Sequence, residues 1–279
     1  MLAERGAAAH GTPSSITPAQ FAQFQRFIFD AAGITLSATK SALVSGRLGK
    51  RLVEHGLNNY TDYLQLLASG RHPAEVQLAV DLLTTNETYF FRESKHFDFL
   101  RTLAQAARSG GRSFRVWSAA SSSGEEAYSI AMVLADCLGP APWEVLGTDI
   151  SQRVLQSAAR GIYRMERTRH IPPAYLHRFC LKGTEEHEGT LMVDRTLRTR
   201  VSFIQANLNA PLPDLGAFDL IFLRNVLIYF NDETKRQVVE RVSAALRPGG
   251  HFLVGHSESL HGITDALQAQ APSIYRRPV

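Results

Sequence analysis

Apolar residues recur at helical spacing in the early part of the chain and give way to strand-like patterns after Phe114. Phe21, Phe24, Phe27 and Ile28 fall three and four residues apart, which predicts a helix. Thr17 supplies its N-cap, Pro18 its first helical position, and Gly33 is placed to stop it. Leu43, Val44, Leu48 and Leu52 share one face of a second helix from Ser41 to His55, ended by Gly56. Shorter helices over Thr61–Ala68 and Pro73–Leu83 complete a helical domain over residues 17–83 with a Phe- and Leu-rich core. Residues 1–16 read as a flexible tail, and 84–111 as a linker into a second domain.

From residue 112 strands and helices alternate, the mark of an α/β fold. The expected strands are Phe114–Trp117, Glu144–Thr148, Val201–Gln205, Phe218–Leu223 and His251–Val254. Phe218–Leu223 is nearly all apolar, as a strand buried on both faces should be. The helix Glu233–Leu246 ends at Arg247-Pro-Gly-Gly-His, which turns into the last of these strands. Between Gly161 and Arg200 the alternation breaks. Pro172-Pro173, an acidic turn at Glu185–Gly189 and alternating Leu191 and Val193 suggest a small β-rich insertion at about 165–200.

The stretch from Phe114 to Asp149 is the most informative for chemistry. A strand runs into Ser118–Gly124, whose small residues let backbone pass close to a ligand, and then into a helix carrying Glu125 and Glu126. Asp149 closes the next strand, where an acidic side chain can accept hydrogen bonds from ribose hydroxyls. The turn lacks GxGxxG spacing, so a mononucleoside-like ligand suits it better than a dinucleotide.

Composition narrows the classes. With 44% hydrophobic and 20% charged residues over 279 positions, the chain is an ordinary globular protein with room for two domains. No apolar run approaches the roughly 18 residues of a membrane span, and the first residues lack the pattern of a signal peptide, so a cytoplasmic location is expected. Cys137 and Cys180 make no metal pattern and read as reduced, packed thiols. A net charge of +4 is too small to argue for nucleic acid. Its distribution is more telling: Arg47, Lys50 and Arg51 cluster with few acids nearby in sequence.

Five motifs together resemble the CheR family of chemotaxis methyltransferases. They are Thr84–Glu93 (TTNETYFFRE), Trp117–Glu126 (WSAASSSGEE), Gly147–Ser151 (GTDIS), Arg224–Phe230 (RNVLIYF) and Gly255–Glu258 (GHSE), in matching order and spacing over nearly the whole chain after the tail. The resemblance implies an all-helical N-terminal domain, then a Rossmann-like class I methyltransferase domain with a small inserted antiparallel β-subdomain. It also implies methyl transfer from S-adenosyl-L-methionine to glutamate side chains of methyl-accepting chemoreceptors, leaving S-adenosyl-L-homocysteine and a γ-glutamyl methyl ester.

That reaction is an in-line displacement at carbon. A glutamate, with a reference pKa of about 4.3, is already ionised near neutral pH, so no general base is needed. Positioning and exclusion of water should carry the acceleration. By family match the cofactor contacts are Asn86, Thr88, Arg92, Glu126, Asp149, Asn207, Leu208, Arg224 and Asn225, with Arg92 and Tyr229 nearest the reacting groups. Arg92 suits a carboxylate, either the donor's methionine carboxylate or the incoming glutamate. Glu126 would take the donor's ammonium group, whereas Glu125 reads as a simple helix N-terminal stabiliser. No metal is expected, and His251, His256 and His261 read as structural.

On the acceptor side, Arg47, Lys50 and Arg51 would present a basic helix face that steers docking to an acidic receptor bundle. Some members also capture a receptor's C-terminal pentapeptide on the β-subdomain edge. Lys182-Gly183 and Gly189 keep part of that pattern, while Met192 replaces a basic residue and Glu185 a glycine. A monomer is expected. The rival readings are a methyltransferase of the same fold acting on a non-chemotaxis signalling protein or a small carboxylate, and a non-catalytic S-adenosylmethionine-binding scaffold. Nucleic-acid methylation is disfavoured by the modest charge and by the lack of an (Asn/Asp)-Pro-Pro-(Tyr/Phe) tetrapeptide near Arg224.

Overall fold

Thr17 opens the first helix as its sequence predicts. Its hydroxyl accepts from Gln20 N at 3.3 Å while Gln20 Oε1 accepts from Thr17 N at 2.9 Å, a reciprocal capping box. The computed structural model describes residues 15–108 and 110–279. The expected tail over 1–16 lies outside the described residues except for its last two. The chain divides into two units between Thr85 and Asn86.

The first unit contains α1 (Pro18–Ala32), α2 (Ser41–Glu54), α3 (Tyr60–Ala68) and α4 (Pro73–Leu83). Gly33 ends α1 at φ 72°, a left-handed conformation that costs glycine nothing. Phe24, Ile28, Val44, Leu48, Leu52 and Tyr63 are fully buried, so the helical periodicity locates the core.

The basic cluster, however, is largely consumed by this unit. Arg47 Nη1 donates to the carbonyls of Leu82 and Thr84 at 3.1 and 2.8 Å, closing the end of α4. Arg51 pairs with Glu75 at 2.6 Å and also contacts Glu54. Glu75 is 7% exposed and takes a further hydrogen bond from Tyr63 Oη at 2.6 Å. Burial works against its charge, but these donors prevail and hold the carboxyl at about 2. Glu54 is a neighbour of Arg51 within α2, but the buried Glu75 comes from α4, 24 residues on, which sequence proximity does not reveal. Of the three, Lys50 alone is exposed.

The second unit runs α5 (Lys95–Ala107), β1 (Phe114–Ala119), α6 (Glu125–Leu138), β2 (Trp143–Asp149) and α7 (Gln152–Arg160). An insertion comes next, with β3 (Ile162–Arg164), α8 (Pro173–Phe179), β4 (Cys180–Lys182), β5 (Thr190–Val193) and α9 (Arg195–Arg198). Then come β6 (Val201–Gln205), β7 (Phe218–Leu223), α10 (Asp232–Ser243), β8 (Leu246–Val254), β9 (Gln268–Ala271) and β10 (Ile274–Arg276). The main sheet has the order β6-β2-β1-β7-β8-β10-β9. Its first five strands are parallel, and β10 and β9 add an antiparallel edge. Every residue of β7 is buried, as its apolar run predicts.

Several boundaries differ from the sequence reading. The segment expected to be a linker contains α5, which packs on α6 and buries Phe97, Leu100 and Ala104. The strand expected from His251 begins at Leu246, absorbing the Arg247-Pro-Gly-Gly turn. The β9–β10 hairpin has no counterpart in the sequence reading, because Gln268–Ala271 is short, exposed and without alternation. The insertion is a three-stranded antiparallel sheet, β3-β5-β4, and starts at Ile162 rather than 165. Within it Glu185 adopts φ 52°, a left-handed conformation that favours glycine.

Candidate active site

Leaving β1, the chain builds β2 and β6 on one side and returns to build β7 and β8 on the other. The order thus reverses between β1 and β7, and open α/β sheets bind ligands at the carboxyl ends flanking such a switch. At the β1 exit Ala120, Ser122 and Gly124 all have left-handed backbone, φ 62°, 50° and 92°. Gly124 has a second reason to be glycine: a Cβ there would lie 2.8 Å from Ala158 Cβ and 3.0 Å from Tyr163 Oη. Asp149, 7% exposed at the end of β2, closes the other side. It accepts from Ser122 N and Ser151 N, each at 2.9 Å. Ser121 Oγ is buried and has no hydrogen-bond partner among the described residues, as expected of a hydroxyl that faces a ligand.

The two glutamates opening α6 take different partners. Glu126 Oε1 accepts from Ser118 Oγ at 2.7 Å, and its Oε2 lies 2.9 Å from Arg224 Nε. Burial raises its pKa, and the Arg224 charge opposes that rise. Glu125 is fully buried and pairs with Arg167 at 2.5 Å, with Ser123 Oγ donating to it at 2.7 Å. It opens α6 as its sequence position predicts, but it is more than a helix stabiliser, because Arg167 arrives from the insertion to pair with it.

Arg224, the residue after β7, is held on every side. Its Nη1 donates to His96 Nδ1 at 2.9 Å and its Nη2 to Arg92 O at 2.6 Å, while its guanidinium lies 5.7 and 5.6 Å from the Phe97 and Phe222 rings. A guanidinium can only donate, so His96 Nδ1 accepts and its proton sits on Nε2. Nε2 then donates to Ser273 Oγ at 2.8 Å, and Ser273 Oγ donates to Pro272 O at 2.6 Å. Burial, reinforced by Arg224, pushes the His96 pKa down to about 4. His96 is neutral in this arrangement.

Asn225 comes next, at φ 57°. Its N–H donates to Glu258 Oε2 at 2.7 Å, and Glu258 also accepts from Gly255 N at 2.6 Å and Ile228 N at 3.3 Å. A Cβ on Gly255 would stand 2.5 Å from Asn225 Nδ2 and 2.8 Å from Glu258 Oε2, so a larger residue there would displace this clamp. This clamp fixes the turn carrying Tyr229, whose ring is half-buried and whose hydroxyl makes no hydrogen bond among the described residues.

The remaining expected contacts rim the same end of the sheet. Asn86 O accepts from Ser122 Oγ at 3.0 Å, which ties the Asn86–Thr88 strip to the turn after β1. Arg92 is half-buried; its Nη1 donates to Glu87 O at 3.2 Å and it lies over the Tyr89 ring at 5.7 Å. It forms no ion pair among the described residues, in contrast to Arg224. Asn207 and Leu208 come after β6, beyond Ala206, whose N–H donates to Asp149 O at 3.0 Å. Arg47, Lys50 and Arg51 belong to the other unit.

Glu93, His96 and His256 bring potential metal ligands within 4.8 Å of one another. The lone pair of His96 Nδ1 is already spent on Arg224, a fixed cation 3.9 Å from Glu93 Oε2, so the group fits a metal poorly. His251 instead packs edge-on to Phe99, 5.1 Å between centroids. Sequence reasoning assigns no role to Glu93, His96, Arg167 or Glu258. Glu93 and Glu258 lie inside the quoted motifs, which is the signal that could have singled them out. His96 and Arg167 carry no local signal, being defined by partners far along the chain.

A mixed sheet with five parallel strands, carrying Asp149 and the Ser118–Gly124 turn at its switch point and following a separate helical unit, has the fold of a Rossmann-like class I methyltransferase. Residues 86–275 match the family model "CheR methyltransferase, SAM binding domain", and residues 19–84 match "CheR methyltransferase, all-alpha domain". The chain belongs to the CheR methyltransferase family and is an S-adenosylmethionine-dependent enzyme. It is 41% identical to the chemotaxis protein methyltransferase of Escherichia coli (strain K12) over 264 residues, covering 94% of this chain and 91% of that protein. It is 39% identical to chemotaxis protein methyltransferase 2 of Pseudomonas aeruginosa over 262 residues, 93% of each. The residues present are compatible with S-adenosylmethionine: the buried Asp149 carboxylate closes β2, and the buried Ser121 hydroxyl in the turn after β1 has no hydrogen-bond partner among the described residues.

Proposed function

We propose that the protein methylates glutamate side chains of methyl-accepting chemoreceptors in the cytoplasm, forming the γ-glutamyl methyl esters of chemotactic adaptation. The observation that carries this reading is the likeness to relatives named chemotaxis protein methyltransferase across both units, at 41% identity for the Escherichia coli protein. No helix among the described residues is long and apolar enough to cross a membrane, so the enzyme would meet its membrane-bound substrate from solution.

S-adenosylmethionine supplies an electrophilic methyl group on a sulfonium centre. Asp149 holds the ribose hydroxyls, and Asn207 and Leu208 border the adenine. Asn86, Thr88 and Asn225 line the centre of the pocket. Arg224 acts one layer behind, keeping Glu126 ionised and oriented for the donor's ammonium group. Arg92, the cation without a fixed ion pair, turns to a carboxylate of donor or acceptor. The acceptor carboxylate oxygen forms the new O–C bond as the C–S bond breaks, leaving a neutral thioether. No proton moves, so these residues need only align the groups and exclude water. Tyr229, held on its clamped turn, helps to aim the acceptor.

Docking is assigned to the helical unit, with Lys50 as its free cation on α2. Edge strand β4, with Leu181 half exposed, offers backbone to a receptor's C-terminal peptide. The test is transfer of tritiated methyl from labelled S-adenosylmethionine to purified receptor cytoplasmic fragments, with and without their C-terminal tails. Base-labile label on wild-type fragments, absent from fragments whose methyl-accepting glutamates are replaced by alanine, is expected. Donor binding without label on any receptor fragment would overturn this reading in favour of a different acceptor or a binding scaffold.

A further inference from the structure

Arg167 lies in the short 3-10 turn Met165–Thr168 after β3, inside the inserted subdomain, yet every contact of its guanidinium lies outside it. Nη2 stands 2.5 Å from Glu125 Oε1, 3.3 Å from Ser123 Oγ and 3.3 Å from the Thr88 carbonyl. From β3 itself, Tyr163 Oη donates to the Ser123 carbonyl at 2.8 Å. The subdomain therefore holds residue 123 by both its side chain and its backbone. The adjoining residue, Ser122, donates its N–H to Asp149 and its hydroxyl to Asn86 O. The Asn86–Thr88 strip, the Ser121–Gly124 turn and Asp149 thus form one hydrogen-bonded unit, and Arg167 is the cation that ties it to the insertion.

We propose that Arg167 is a positioning residue through which the inserted β-subdomain sets the affinity of the methyl-donor pocket. This rests on placing that pocket at Asn86–Thr88, Ser121–Gly124 and Asp149. The physical reason is the state of Glu125. Its carboxylate is fully buried, and the groups facing it are Arg167, the Ser123 hydroxyl, Tyr163 and the like-charged Glu87. Burial already raises its pKa, and Arg167 is the main opposing influence. Removing one partner of such a pair leaves an uncompensated charge, which the turn must shift to relieve. Any shift there moves Ser122 and, through it, Asp149. The Arg167 side chain is 42% exposed, so this link can be reached from the surface of the subdomain.

The test is calorimetric titration of S-adenosylhomocysteine into the full-length protein across near-neutral and mildly acidic pH. Arg167→Met should weaken binding about tenfold or more, and Arg167→Lys should retain most of it. Binding to Arg167→Met should also strengthen, relative to the wild type, as pH falls and Glu125 takes up a proton, because Arg167 opposes that uptake in the wild type. Arg167→Met with Glu125→Gln, which removes both charges, should recover most of the affinity. If Arg167→Met does not fold, the double variant carries the test: recovery supports the link, and weak, pH-independent binding overturns it. Wild-type affinity in Arg167→Met, with Asp149→Ala failing to bind, would overturn the link and leave the pocket standing. Wild-type affinity in Asp149→Ala as well would overturn the pocket itself.

Discussion

Arg224 Nε stands 2.9 Å from Glu126 Oε2, and the Arg224 side chain is only 1% exposed. A cation so enclosed is a structural pin whose value lies in the groups it orients: Glu126, the Arg92 carbonyl and neutral His96. Replacing it by Met should leave Glu126 buried without its charged partner and lower the unfolding free energy by about 3–5 kcal/mol. Urea denaturation would measure this, and loss of donor binding should accompany it.

Arg92→Ala should behave in the opposite way. Arg92 is half-buried, donates one hydrogen bond to Glu87 O and forms no ion pair among the described residues, so the fold owes it little. The urea midpoint should stay near that of the wild type while kcat/KM for methyl transfer falls by about 100-fold or more. A variant that lost stability and activity together would place Arg92 with Arg224 as a structural group.

His96 makes the catalytic unit sensitive to acid. Its folded pKa, depressed to about 4, lies below the ordinary value of 6.5, so between these values the unfolded chain binds a proton that the folded one does not. Stability from this group is complete above about 6.5 and is lost as pH falls towards 4. Protonation would also set a second cation against Arg224. Thermal melts of the wild type should therefore drop through this window, and His96→Gln should flatten the slope while lowering the plateau.

The basic helix should separate into two behaviours. Lys50→Glu should slow receptor methylation, increasingly so at low salt, without altering donor affinity or stability. Arg51→Glu should instead unfold the helical unit, because it sets a third carboxylate against buried Glu75 and Glu54. Circular dichroism melts alongside methylation rates at two salt concentrations would distinguish them. Equal rates for Lys50→Glu and wild type at low salt would remove the steering role.

How much of the molecule is legible in the sequence depends on where each signal resides. Helices α1 to α4 and strands β1, β2, β6 and β7 are written in local periodicity, and their cores appear where Phe24, Leu48 and Phe222 place them. Asp149 is legible because a strand end and an acidic side chain are both local facts. The fate of charges is not. The buried partner of Arg51, Glu75, is 24 residues away, and Glu125 reads as a simple helix stabiliser because its partner Arg167 arrives from the insertion. The β9–β10 edge is invisible for a similar reason, since antiparallel pairing with β8 supplies what its own residues lack.

The line from Arg224 through His96 to Ser273 has a consequence for how the enzyme is made. Ser273 sits on the hairpin that is synthesised after every parallel strand of the sheet. A nascent chain can collapse its central strands, yet until that hairpin is made His96 Nε2 has no Ser273 hydroxyl to donate to. The hydrogen-bond line behind Arg224 is therefore closed only after translation has passed the hairpin, so the last strands made finish what the central ones begin.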